Sequence, residues 1–224
     1  MHHVMFDIDG TLVKSYDFDG ECYVEAVHKI LGHQLDADWS KYINVTDAGI
    51  LNQHIDEHGL QSKRKEIHAD VKREFINSIS TYLRNSPVQD VPGASKIISL
   101  LRKIDNLSLS IATGGWRETA ILKLESAKID VLDIPIASSD DHYSRIEIMK
   151  KAEEKAQVQK KITRTYFGDA EWDKKASEEL GFNFVLVGDR TYPSEYSRFQ
   201  RYKSCTRIHR SCLLYTSPSP RDRG

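Results

Sequence analysis

The chain has 224 residues, enough for one large domain or a domain carrying a sizeable insertion. Lys and Arg total 32 and Asp and Glu 33, a formal charge of −1, which excludes a protein that wraps nucleic acid through a global positive field. Hydrophobic residues make up 39% and charged residues 29%, which is not the composition of a disordered chain, and no apolar run reaches the length of about 18 residues that a membrane span needs.

The first residues, Met1-His2-His3-Val4, lack the basic and then apolar pattern of a secretory leader. Val4-Met5-Phe6 followed by Ile8 is a short apolar run that ends in acids and Gly10-Thr11. It predicts a buried parallel strand feeding a loop. From 15 to 88 the pattern is helical only. Cys22, Ala26, Ile30 and Tyr23, Val27, Leu31 recur at helical spacing, with Gly32 as the stop. Thr46 caps a second helix that carries Ile50, Leu51 and Ile55 and ends near Gly59. Ser62 is expected to cap a third, with Ile67, Val71, Phe75 and Ile79 on its apolar face, stopping before Pro87.

Pro92-Gly93 opens a further helix through Ile104, and Leu107 to Ala112 reads as a strand ending in Thr113-Gly114-Gly115. A helix is predicted over about 116–128. Residues 134–137 read as a short strand, near an edge because of Pro135. A helix over 144–158, a strand at 165–167 running into Gly168-Asp169, a helix over 172–180 and a last strand over 182–187 complete the pattern. Strands alternating with helices predict an α/β class with a Rossmann-like, three-layer parallel sheet, whose ligands sit beyond the C-terminal strand ends.

The three cysteines, Cys22, Cys205 and Cys212, form neither a disulfide framework nor a zinc spacing, so a reducing cytoplasm is expected. Residues 212–224 resemble a translated sequencing-library adaptor and are left out of the fold reasoning. The tail at 191–211 is expected to be truncated by that junction, and its basic cluster reads as a solvated surface rather than a nucleic-acid patch.

The polar groups gather at strand ends: Asp7 and Asp9, Thr113, Ser138-Ser139-Asp140, and Asp169. Carboxylates held close together repel unless a cation lies between them. Hard oxygen ligands favour Mg²⁺, which usually also binds substrate phosphate. The pattern therefore points to magnesium-dependent phosphoryl chemistry.

Asp7-Ile8-Asp9-Gly10-Thr11 resembles the first motif of the haloacid dehalogenase superfamily. Thr113-Gly114 resembles the second and Gly168-Asp169-x-x-x-Asp173 the fourth, in the same order and each after a predicted strand. The resemblance spans about 3–190 and implies a magnesium enzyme. Asp7 would be the nucleophile that forms an aspartyl-phosphate, and Asp9 the general acid and then base. Asp7, Asp169, Asp173 and Asp9, the last through its backbone carbonyl, would hold the metal, with Asp173 acting through water or a neighbouring ligand. Thr113 and the Gly114 amide would hold phosphoryl oxygens, and Gly10 would let the backbone turn sharply. The third motif departs from the family pattern, which has a lysine there. Arg145 is the best match, keeping the charge and offering a fork to phosphate, with Lys150 as fallback.

The helical block at 15–88 occupies the place of a C1 cap in that superfamily, a lid that excludes water. The core would then be 1–14 and 89–190. Thr46 and Asp47, in the turn Asn44 to Asp47, are candidate substrate-binding residues, although Thr46 equally suits a plain helix cap. Asp17-Phe18-Asp19-Gly20 repeats the first motif's pattern but follows no strand and reads as a helix start. His54 and His58 are one turn apart with no third ligand evident, and read as a solvated helical face. Trp116 reads as packing. The partner implied is a small phosphorylated metabolite, with no nucleic acid and no membrane; monomer and homodimer both stay open. The leading expectation is a phosphatase acting on a small phosphomonoester, similar to phosphoglycolate-phosphatase-like enzymes. The alternatives are a sugar phosphomutase similar to β-phosphoglucomutase and a non-catalytic binding module. A dehalogenase is disfavoured because such enzymes lack an acid at the position of Asp9.

Overall fold

Five parallel strands, in the order β3-β2-β1-β4-β5, form the centre of the protein. The computed structural model describes residues 1–159 and 161–188. Residues 189–190 of the expected core, the tail at 191–211 and the adaptor-like 212–224 lie outside the described residues. The strands are β1 (His2–Phe6), β2 (Leu107–Ala112), β3 (Ile136–Ala137), β4 (Thr163–Gly168) and β5 (Asn183–Leu186). The helices are α1 (Tyr16–Leu31), α2 (Asp47–Glu57), α3 (Arg64–Asn85), α4 (Ala94–Leu101), α5 (Arg117–Ser126), α6 (Arg145–Lys155) and α7 (Glu171–Glu179). No helix among the described residues is long and apolar enough to cross a membrane.

The two-residue period of β1 divides the interior into two cores. Val4 and Phe6 enter one with Ile97, Ile98, Ala120 and Leu124 of α4 and α5. Met5 enters the other with Ile148, Met149 and Ala176 of α6 and α7. The larger core runs on into the helical block through Phe18, Tyr23, Leu51, Val71 and Phe75.

β1 starts earlier than its apolar run indicates, because hydroxyl partners on the neighbouring strands receive two buried histidines. His2 Nε2 lies 3.0 Å from Thr165 Oγ1. His3 bonds Ser108 at 2.8 Å and Ser110 at 2.9 Å on the next strand. β3 keeps only Ile136 and Ala137, at the sheet edge where Pro135 placed it. Ser62 is not a helix cap. It sits in a 3₁₀ turn at Gln61–Lys63, and α3 starts at Arg64 with no side-chain cap.

The chain leaves the sheet and returns to it side by side. Lys14 N–H donates to the Gln89 carbonyl at 2.9 Å, and Val91 N–H to that of Leu12 at 2.8 Å. Between these strands of backbone, residues 16–85 supply α1, α2, α3 and two 3₁₀ turns, with no strand. The register pairs Phe6 with Ile111 on one side and Phe167 on the other. Residues 7, 113 and 169 therefore emerge together at one edge of the sheet.

Candidate active site

Asp7 leaves β1 into the cleft beneath the helical block and is 4% exposed. Asp169 follows β4, and Asp173 lies in the first turn of α7. One carboxylate oxygen from each of Asp7, Asp169 and Asp173 lies within 4.8 Å of the others, and all three residues are buried. Residues separated by more than 160 positions thus meet at one point, as the motif spacing requires. Burial, reinforced by Asp173 and resisted by Arg145, pushes the Asp7 carboxyl well above the usual carboxylate range. Asp173 is raised as well, by burial and against the pull of Arg145.

Arg145 opens α6 and points into this cluster. Its Nη1 donates to Asp173 at 2.8 Å and lies 3.4 Å from Asp7, while Nη2 donates to the Val45 carbonyl at 3.1 Å. Its Nε is buried with no partner. Lys150 lies elsewhere, on an exposed face of α6, paired with Glu147 at 2.7 Å. Two glycines are required by close approach. Gly10 has φ +78°, and a Cβ there would stand 2.2 Å from Asp169 Oδ2. A Cβ on Gly114 would meet Arg145 Nη2 at 2.4 Å.

Asp9 faces a different set of partners. Its carboxylate accepts from Lys123 Nζ at 2.5 Å and from the Ser15 hydroxyl, and lies outside the three-carboxylate cluster. Lys123 is fully buried and also donates to Asp19 at 2.7 Å. Burial works to lower the Lys123 pKa, but Asp19 and Asp9 outweigh it and hold the ammonium charged. Burial lifts Asp19 to about 6 in spite of Lys123. Thr113 directly follows β2 and lines the cleft with these acids, its hydroxyl accepting from Gly115 N–H at 3.1 Å.

Thr46 and Asp47 stand where the helical block touches the sheet edge. Thr46 accepts from Gly49 N–H at 2.9 Å as a helix cap and donates to the Tyr143 carbonyl at 2.6 Å. Asp47 accepts from Trp116 N–H at 2.7 Å, and its own N–H donates to the Gly114 carbonyl at 2.8 Å. Burial, then Asp19, raises the Asp47 carboxyl well above its ordinary range. Trp116 is 3% exposed and packs on Tyr23 and Phe75, which agrees with a packing role.

Sequence reasoning passed over Lys123 and read Asp19 as part of a helix start, which it is, without its pairing to that lysine. Asp19 had a signal in the repeated Asp-x-Asp-Gly pattern. Lys123 had one in its place on the apolar face of α5, between buried Ala120 and Leu124. The reading of His54 and His58 as a solvated face holds for the exposed His58 and is corrected for His54. His54 is 3% exposed, and His33 joins the pair as a third imidazole.

The cleft over these groups measures about 680 Å³ with its open mouth. Tyr16, Tyr23, Trp39 and Ile50 of the helical block form its roof, and Arg145 is the one cation among its described lining residues.

The donor set suits a hard divalent ion, since three buried carboxylates share a single guanidinium. In solved structures the fold recurs in a hydrolase from Pseudomonas syringae, at 22% identity over 84% of each chain and a TM-score of 0.64. It recurs in β-phosphoglucomutase from Clostridium difficile, at 13% identity over 96% of this chain and 98% of that one, TM-score 0.71. CbbY from Rhodobacter sphaeroides in complex with phosphate shares 15% identity over 87% of this chain and 90% of that one, TM-score 0.63. Among curated proteins, none matches the sequence significantly. The family model for haloacid dehalogenase-like hydrolases matches residues 4–187, and the chain belongs to that family.

Proposed function

We propose that the protein is a magnesium-dependent phosphatase of a small phosphomonoester in the cytoplasm. The meeting of Asp7, Asp169 and Asp173 beside Arg145 under a roofed cleft carries this reading. An Asp7 oxygen attacks phosphorus, and the bond to the alcohol oxygen breaks as Asp9 supplies that oxygen with a proton. Asp9 then takes a proton from water, whose oxygen attacks phosphorus, and phosphate leaves with the Asp7 carboxylate restored. Thr113, the Gly114 amide and Arg145 hold phosphoryl oxygens while charge builds on them. Asp7, Asp169, the Asp9 carbonyl and, through water or a neighbouring ligand, Asp173 would hold Mg²⁺, which when bound neutralises charge on the nucleophile and the transferring group.

In this reading residues 15–88 are the cap and 1–14 with 89–190 the core. Contacts of Thr46, Asp47 and Val45 with the sheet edge correspond to a closed cap. The phosphatase is favoured over the sugar phosphomutase by one observation. A mutase passes through a bisphosphate, and among the described residues of the cleft no second cation stands ready for the second phosphate. Phosphate release from a panel of phosphomonoesters, with and without EDTA, tests the proposal. Release that depends on Mg²⁺ and vanishes in Asp7→Asn supports it. Conversion of a hexose phosphate to an isomer without free phosphate refutes it in favour of the mutase.

A further inference from the structure

A second group of metal-type ligands lies in the helical block, and none of its members lines the cleft. His33 follows Gly32, whose φ of +69° ends α1. His54 occupies the last turn of α2 and His58 caps its end. One nitrogen from each of the three imidazoles lies within 4.8 Å of the others. His33 Nδ1 and His54 Nε2 are 3.1 Å apart.

The hydrogen bonds fix which nitrogens are available. His58 Nδ1 lies 2.8 Å from the His54 carbonyl, which only accepts, so that nitrogen carries hydrogen. The lone pair of His58 is therefore on Nε2. A ring N–H donated to a backbone carbonyl is the usual support of a metal-binding histidine, since it fixes the tautomer and raises ligand basicity. Between His33 and His54 one nitrogen must accept, so the pair holds at most one proton on that line. Nitrogens bound to one tetrahedral zinc at about 2.0–2.1 Å stand roughly 3.4 Å apart. The His33–His54 separation is already close to that value. The rings of His54 and His58 lie 4.1 Å apart at a tilt of 33°, and those of His33 and His58 stack at 4.5 Å. Closing the set from its present spacing takes movement of His58, the exposed member of the three.

We propose that His33, His54 and His58 form a three-histidine site for a borderline transition-metal ion, Zn²⁺ first, which ties the end of α1 to the end of α2. Imidazole ligands select Zn²⁺ over Mg²⁺, so this site and the carboxylate cluster take different ions. The fourth position is left to water.

The test uses the full chain without a polyhistidine tag, stripped by chelator and held in saturating Mg²⁺. Zn²⁺ is titrated calorimetrically, and Co²⁺ reports geometry through its visible absorption. The expected result is one Zn²⁺ per chain, a tetrahedral Co²⁺ spectrum and a raised melting temperature. His58→Ala, at the exposed ligand, and His33→Ala each remove a ligand and are expected to weaken Zn²⁺ binding by more than the roughly tenfold to hundredfold that loss of a supporting partner costs. Asp7→Asn should leave Zn²⁺ binding unchanged. Equal Zn²⁺ affinity in wild type and the His33→Ala/His58→Ala double variant would overturn the proposal. So would loss of Zn²⁺ binding in Asp7→Asn, because the ion would then sit among the carboxylates.

Discussion

Replacing Lys123 by Met isolates the charge that links Asp9 to α1. The ammonium is fully buried, 2.5 Å from Asp9 and 2.7 Å from Asp19, and methionine keeps nearly its length and packing. The loss is therefore electrostatic: two acids remain with no cation beside them. Breaking a buried pair of this kind costs about 3–5 kcal/mol, and relief by protonation of Asp19, already lifted to about 6, sets the lower end of that range. The sign with pH follows from linkage. Without Lys123 the folded-state pKa of Asp19 rises further above its unfolded value, so the variant binds protons on folding and recovers stability as pH falls. Urea unfolding of both proteins at pH 7.5 and pH 5, roughly one unit above the unfolded carboxylate value, reads this directly. We expect a deficit of about 3 kcal/mol at the higher pH and clearly less at the lower. Asp19→Asn added to Lys123→Met should recover part of the deficit at pH 7.5. A deficit under about 1 kcal/mol, or one independent of pH, would refute the reasoning.

Asp7→Asn should lower phosphate release by about 10⁴-fold or more, measured by steady-state phosphate detection, while the fold persists by circular dichroism. Arg145→Lys keeps a charge but loses the fork that spans Asp173 and the Val45 carbonyl, and should reduce kcat/KM by about tenfold to hundredfold. Gly114→Ala drives a methyl into the Arg145 guanidinium and should reduce activity at least as much as Arg145→Lys does, read in the same assay. His3 is held at about 4 by burial, below its ordinary 6.5, so the stability it contributes is complete above about 6.5 and is lost as pH falls toward 4. That depression corresponds to about 3 kcal/mol. The stability difference between wild type and His3→Gln should shrink over that window in urea titrations, and a constant difference would contradict it.

The sheet and the acids at its edge were legible because both signals are local. Apolar runs end in Asp7, Thr113 and Asp169, and a parallel sheet brings such ends together whatever the distance along the chain. Arg145 was readable as a cation opening a helix after the third strand. The place of Lys123 on an apolar helical face was a signal, but its partners were not readable, since the acids that stabilise it come from the β1 end and α1, which no window of α5 contains. His33 escaped for the same reason. Its partners stand on α2, more than twenty positions away, and one turn of helix shows only His54 with His58. Ser62 failed as a cap because a 3₁₀ turn satisfies that stretch of backbone before α3 begins. Thr46 was legible as a cap, but not its bond to the Tyr143 carbonyl, which joins two segments nearly a hundred positions apart.

The central claim is that Asp7 takes the phosphoryl group. Enzyme mixed with a substrate from the active panel and Mg²⁺, quenched in acid within one turnover and reduced with borohydride, converts an aspartyl-phosphate to homoserine. Peptide mass spectrometry should find homoserine at position 7 and at no other aspartate, and none in Asp7→Asn. Phosphate released in the same burst with aspartate intact at position 7 would contradict the account.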